Sequence, residues 1–491
     1  MDNGVKHEQP TADTGRLPSQ DAVTGSPAPD AVTTSPDAVA GSPSPDAMMG
    51  MPPADGRRPR CWRWVDWLHR KTGDRGFVYV VASLIGVVAG CCAALLKTMI
   101  GGTASLMQSL IEVGYRWTIL FVPIAGIVLT GLFQRHVVHA NLTHGLRRIG
   151  AMLHRGGYYI SGKLTFAWMV ASTLTLGCGG SAGSEGPIAC TGAVMGSDIG
   201  RRAGLRPDLV RILIGCGAGA GIAGIFKAPL GGFLFTLEVM HLPMTTWTVM
   251  ALLTCCLLSA MTAYALSGFT VDLSYIQQTP FDPDSTLWII ALGVVCGLYS
   301  LYYSWTMRRM ENVYDSIKRP LTRNVASGAV LAVLLFVFPT LYGEGYSVMG
   351  QVINGDYAYL NDVPFVRAMH GWQWLPLVAA FGIVAVKALA ASATNSGGGV
   401  AGDFAPTLFA GCMLGFLFAV AANNFAGADL PVGAFAFIGM AGVMAGVIRA
   451  PFMAIFLCAE MCNGFIMLLP LIGGAAVSFA VVRLLGGRKK G

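Results

Sequence analysis

The sequence predicts an all-α polytopic membrane protein with an internally repeated core, and three observations carry that expectation. First, 54% of the 491 residues are hydrophobic and only 12% are charged, about half the charge of a soluble domain, and the mean hydropathy is +0.58. Second, there are 63 glycines, more than lipid-facing helices use and suited to close helix contacts and broken helices. Third, two stretches cut by glycine and proline repeat each other. This composition excludes an ordinary soluble enzyme and a chain disordered throughout.

Residues 1–75 read as a disordered cytoplasmic tail rich in proline, alanine and aspartate. It holds an imperfect repeat (Asp21-Ala-Val, Asp30-Ala-Val, Asp37-Ala-Val, Asp46-Ala-Met) separated by Ser-Pro steps. Such a segment has too few large apolar residues to offset its ordering entropy. No apolar core follows a basic start, so it is not a signal peptide. The first 50 residues carry a net charge of −5, which leaves +12 on the remainder. Bases gathered on cytoplasmic loops account for that excess without nucleic acid as a partner.

The bases Arg57, Arg58, Arg60, Arg63, Arg70, Lys71 and Arg75 precede the first apolar run, and Arg488-Lys489-Lys490 follow the last. The positive-inside rule then puts both termini in the cytoplasm, which requires an even number of crossings of the cell (inner) membrane. The membrane domain is expected over 76–486, its halves at about 76–270 and 285–486, with a basic end at 487–491. Clear spans lie at 77–100, 116–133, 246–267, 287–306, 325–342, 374–394 and 466–485. The 12 cysteines fall mostly inside apolar runs without a metal-like or redox spacing, as small buried apolar residues do.

Residues 164–240 and 400–460 are different. Glycine and proline interrupt them so often that their pieces look shorter than the ~20 residues a span needs. Irregular backbone at membrane depth survives only inside protein or along a water-filled cavity. Phe226-Lys-Ala-Pro-Leu-Gly-Gly-Phe-Leu-Phe-Thr-Leu-Glu238 matches Ile448-Arg-Ala-Pro-Phe-Met-Ala-Ile-Phe-Leu-Cys-Ala-Glu460 at an offset of 222, and Gly183-Ser-Glu-Gly-Pro187 matches Gly402-Asp-Phe-Ala-Pro406 at 219. Matching interrupted segments in two halves point to a transport site between repeats, parallel or inverted.

Pro187, Pro229, Pro406 and Pro451 each introduce an apolar run, and proline is tolerated in a helix's first turn. Four helix starts are therefore expected at membrane depth. Such starts offer free N–H groups and a partial positive charge, which bind an anion weakly enough to release it. Glu185 sits inside the first motif. Its carboxylate either takes the anion's place when ionised and leaves it when protonated, or simply caps a helix. Lys227 and Arg449 stand where a base is unfavourable, which points to an aqueous vestibule or an acidic partner. Glu238 and Glu460 read as structural pairs or helix-end residues. His144, in a polar break, is either a hydrogen-bonded loop residue or a site residue.

These residues resemble the CLC family of chloride channels and chloride/proton exchangers over about 77–485. Gly183-Ser-Glu-Gly-Pro187 looks like the family's G-[K/R]-E-G-P motif, Gly402-Asp-Phe-Ala-Pro406 like its G-x-F-x-P motif, and Ile225 to Glu238 like the segment that follows the first. The resemblance implies a CLC-type inverted repeat of about 18 tilted and broken helices, and a homodimer in the lipid bilayer with one anion pathway per subunit. Glu185 becomes the extracellular gate. The anion-binding residues become Gly183, Ser184, Gly186, Pro187, Gly402, Asp403, Phe404, Ala405 and Pro406. Ser184 replaces the usual base, so the outer mouth is less basic.

Three departures modify that picture. The family's G-S-G-I-P motif is best matched by Thr143-His-Gly-Leu-Arg147, which puts His144 at the serine that holds the central anion; an imidazole N–H can donate there too. Phe465, without a hydroxyl, falls where the family has a tyrosine. Val239, one residue past Glu238, takes the place of the inner proton-transfer glutamate. Valine there is typical of the channel branch, although some exchangers also lack the acid. The expected function is a chloride channel-like pathway, gated by voltage or pH through Glu185. The alternative is a chloride/proton antiporter that uses water or Glu238 on the proton route, and fluoride or nitrate preference fits either. No cofactor or metal is expected beyond the transported ion, and the spans hold no catalytic combination that makes an enzyme. No nucleotide-binding CBS-type domain is expected.

Overall fold

The computed structural model describes residues 63–486 apart from 114–116, 155–156, 243, 269–272, 274, 276–282, 358–359 and 361–374. Residues 1–62 of the expected tail and the basic end at 487–491 lie outside the described residues. Residues 63–75, assigned to the tail from sequence, belong instead to the first helix, which bends at Gly73.

Among the described residues there are sixteen α-helices. In the first half these are α1 (Arg63–Val113), α2 (Thr118–Phe133), α3 (Gly145–His154), α4 (Ala167–Gly177), α5 (Glu185–Arg202), α6 (Pro207–Phe226), α7 (Pro229–Glu238) and α8 (Thr246–Leu266). The second half contributes α9 (Thr286–Asp315), α10 (Pro320–Val337), α11 (Tyr346–Ile353), α12 (Leu375–Ser396), α13 (Phe404–Ala426), α14 (Val432–Ile448), α15 (Pro451–Met461) and α16 (Leu468–Gly486). Proline opens α6, α7, α10 and α15, where its missing N–H costs nothing.

Nine helices among the described residues are long and apolar enough to cross a bilayer, and the apolar α14 and α15 are shorter. Two of the nine correct the sequence reading. Pro207–Phe226 and Phe404–Ala426 are unbroken helices of 20 and 23 residues inside the regions that looked too fragmented for a span. Burial explains them. The apolar window of α6 is 94% buried and that of α13 78%, against 28% for α2. α6 and α13 are inner helices, whereas α2, α9 and α10 present side chains such as Phe121, Leu287 and Val333 outward.

The repeat shows in the packing. α5 crosses α6 where Gly192 and Gly217 face each other, and α13 crosses α14 where Gly411 and Gly439 do; a Cβ on any of the four would strike the opposite carbonyl. These glycines recur at the offsets of 219 and 222 found in the motifs. α6 ends at Lys227 in the left-handed region (φ 55°), and α14 ends at Arg449 in the same conformation (φ 62°).

Candidate functional site

The two repeated motifs meet. Gly183 N–H donates to Gly402 O at 3.0 Å and Gly402 N–H donates to Gly183 O at 2.6 Å, an isolated antiparallel bridge. Each residue gives its partner what it receives, which is the signature of a local two-fold relation. Two threonines extend it. Val400 N–H donates to Thr175 Oγ1 and Ser181 N–H to Thr394 Oγ1, both at 3.0 Å, and both pairs of equivalent residues are 219 apart. The repeats are thus inverted about an axis through this bridge. α5 and α13 begin on opposite sides of it, and their first turns touch: a Cβ on Gly402 would lie 2.8 Å from Gly186 N. No side chain fits between these two helix starts.

Glu185 is the first residue of α5 and is 0% exposed. Its Oε1 accepts the Tyr346 hydroxyl at 2.5 Å. Its Oε2 has no hydrogen-bond partner among the described residues. The carboxylate folds back over Gly183, where any Cβ would collide with it. An acid has therefore been taken out of water, next to two helix N-termini, and left with an open acceptor. Such a group is costly to bury and marks function rather than stability.

A cavity of about 670 Å³ reaches the bridge at Gly402. Gly186, Pro187, Gly402, Asp403 and Phe404 line it together with Val239, Tyr303, His144, Arg147 and Glu311. His144, in the left-handed region (φ 53°), presents Nε2 3.5 Å from Glu311 Oε1, which Arg147 also contacts at 3.2 Å. Burial and the Arg147 guanidinium hold the imidazole below its ordinary pKa, against the pull of Asp403 and Glu311. Asn395 Nδ2 donates to Asp403 Oδ1 at 2.5 Å, which ties down the one acidic side chain of the second motif.

The chain resembles known proteins. Residues 126–483 match the family described as voltage gated chloride channel. The chain belongs to that family. A putative chloride channel protein ClcB-like of Ralstonia nicotianae is 28% identical over 75% of this chain and 83% of its own length. An H(+)/Cl(−) exchange transporter ClcA of Vibrio vulnificus is 26% identical over 64% of this chain and 65% of its own. Among solved structures, a slow cyanobacterial Cl⁻/H⁺ antiporter superposes with a TM-score of 0.71 at 23% identity, over 84% of this chain and 95% of that one. A CLC-type fluoride/proton antiporter gives 0.67 at 22%, over 83% and 95%. The protein is an integral, multi-pass CLC protein.

In this CLC chain Gly183, Ser184, Gly186, Pro187 and Gly402 to Pro406 gather at the bridge and the two helix starts. Phe465 does not join them. It is 47% exposed, in the turn before α16, and is absent from the cavity wall. Glu238 and Glu460 are reciprocal caps. Glu460 accepts Leu230 N–H at 3.0 Å and Gly231 N–H at 2.8 Å at the start of α7, while Glu238 accepts Phe452 N–H at 3.3 Å and Met453 N–H at 2.7 Å at the start of α15. The orphan amides of each repeat's short helix are thus satisfied by the other repeat's acid. Lys227 lies at neither a vestibule nor an open surface: it is 7% exposed, its Nζ 5.6 Å from the Tyr264 ring centroid.

Sequence reasoning missed Thr175, Thr394, Glu311, Tyr346 and Lys387. The threonines were within reach, since the offset of 219 extends upstream through them. The others carry no local signal. Lys387, fully buried in α12, donates to Ser181 Oγ at 2.9 Å and lies over the Phe409 ring at 4.5 Å.

Proposed function

We propose that this protein conducts chloride across the membrane through a channel-like pathway that the Glu185 carboxylate closes, with voltage or pH moving the gate. The observation that supports this most is the buried carboxylate with an open oxygen where the first turns of α5 and α13 meet. Ionised, it occupies the place of the anion; protonated, it yields that place. The donors left behind are backbone N–H groups and helix partial charges, which bind without trapping. Val239 supports passive conduction: an apolar side chain lines the cavity where proton transfer needs an acid, and the adjacent Glu238 is engaged in capping α15.

A chloride/proton exchanger is the second reading, favoured by the ClcA relatives and the antiporter structures. Fluoride or nitrate preference fits either reading. A homodimer with one pathway per subunit, both termini in the cytoplasm, Glu185 on the extracellular side and no cofactor beyond the transported ion complete the proposal.

Chloride efflux from proteoliposomes, with external pH recorded at the same time, tests it. Efflux without proton movement is the expected result. Uphill proton movement driven by chloride would establish the exchanger and show that Val239 does not block the proton route.

A further inference from the structure

We infer that Glu344 is a second tethered anion at the Glu185 end of the pathway, holding the donors an entering anion needs and so competing with it. Glu344 lies on the loop between α10 and α11. Its Oε1 accepts both the Ser184 N–H at 2.8 Å and the Ser184 hydroxyl at 2.5 Å. Ser184 is itself 0% exposed and immediately precedes the gate. A backbone N–H and a hydroxyl converging at a helix start are what a small inorganic anion would use. Here a carboxylate of the chain already uses them.

Glu185 supplies an independent sign that the spot is built for a ligand. It is fully buried at the same helix start, with Oε2 unpartnered among the described residues, and Glu344 is close enough to repel its charge. Two carboxylates therefore crowd one helix N-terminus, each on its own donors. The groups around them come from every side. Tyr346 on α11 donates to Glu185. Lys97 on α1 lies 5.7 Å from the Tyr346 ring centroid and acts on the charge of Glu185. Tyr342, on the same loop as Glu344, donates to Gly177 O at 2.8 Å. Lys387 on α12 reaches Ser181, three residues before Ser184. Where the family motif has a base, this chain puts a serine and pairs it with an acid, so the mouth repels anions more than the loss of a base would make it.

One consequence follows. The anion must displace Glu344 to enter from this side, so half-saturation there is high. This competition does not rest on the reading of Glu185 as the gate.

The test is chloride flux through the purified full-length protein in proteoliposomes, varying chloride and pH on the Glu185 side. Glu344→Gln keeps an oxygen acceptor for Ser184 and removes the charge. It is expected to lower half-saturating chloride by about fivefold or more and to preserve flux at saturation. Unchanged half-saturation in Glu344→Gln, or flux lowered equally at every chloride concentration and pH, would overturn the inference and leave Glu344 a loop brace. Glu185→Gln separates the readings. If its pH dependence persists, the gate fails whatever Glu344 does. If it vanishes while Glu344→Gln matches the wild type, only the present inference fails.

Discussion

Tyr346 and Glu185 form the most consequential contact in the molecule. If Glu185 is the proposed gate, a hydroxyl at 2.5 Å from its buried carboxyl oxygen stabilises the closed, ionised position by about 1.5–3 kcal/mol, the value of a hydrogen bond to a charged group. Tyr346→Phe should therefore raise chloride flux at neutral pH, roughly tenfold or more, in a proteoliposome assay. An unchanged rate would mean that the hydroxyl does not hold the gate. Glu185→Gln should abolish the pH dependence and leave flux intact; lost flux in a folded protein would remove Glu185 from the gating role. His144 is a different case. Its imidazole contacts Glu311, and burial holds its pKa below the ordinary value. His144→Ala should leave the chloride-to-nitrate preference unchanged, and a changed preference would put the ring on the anion. Glu185 was legible in the sequence because an acid in an apolar, glycine-lined break has few structural uses. Tyr346 and Glu344 were not, because they reach Glu185 and Ser184 from 161 and 160 residues away.

At the scale of elements, the short helices α7 and α15 exchange caps. Removing either acid leaves two helix-start amides without partners, at a cost of about 1 kcal/mol. Glu238→Ala and Glu460→Ala should lower the thermal midpoint by similar amounts and leave anion selectivity alone. A large loss for one and none for the other would contradict the reciprocal geometry. The starts of α5 and α13 are less forgiving. Gly402→Ala would drive a methyl into Gly186 N and should eliminate flux while the folded protein is retained, read by gel filtration alongside the flux assay. The outer spans were visible in the sequence as uninterrupted apolar runs. α6 and α13 were misjudged because glycine weakens an isolated helix by about 1 kcal/mol per residue. In α6 the same glycines let α5 approach until Gly192 meets Gly217, and packing outweighs propensity.

For the whole molecule, the reciprocal hydrogen bonds across the bridge define an internal two-fold. A homodimer with one path per subunit should appear as twice the chain mass in detergent, with Glu185→Gln in one subunit freeing only half of the pH-gated flux. Reversal potential offers the sharper discrimination of mechanism. At fixed chloride, a pH gradient should not move it if conduction is passive, whereas a steady shift with pH is required of coupled exchange.

The sequence by itself determined the class, the outer spans, the repeat and the candidate gate. Each is a property of local composition or of two segments compared with each other. It left open whether the repeats are parallel or inverted, since an offset carries no direction. Antiparallel pairing of Gly183 with Gly402 decided that, and it exists only when the halves are folded together. It also decided that Phe465 stands apart from the cavity, that Glu238 caps a helix and that Glu344 reaches Ser184. Such roles depend on which side chains tertiary packing brings within 3 Å or so of one another, the reach of a hydrogen bond, and residues hundreds of positions apart leave no local pattern of that proximity.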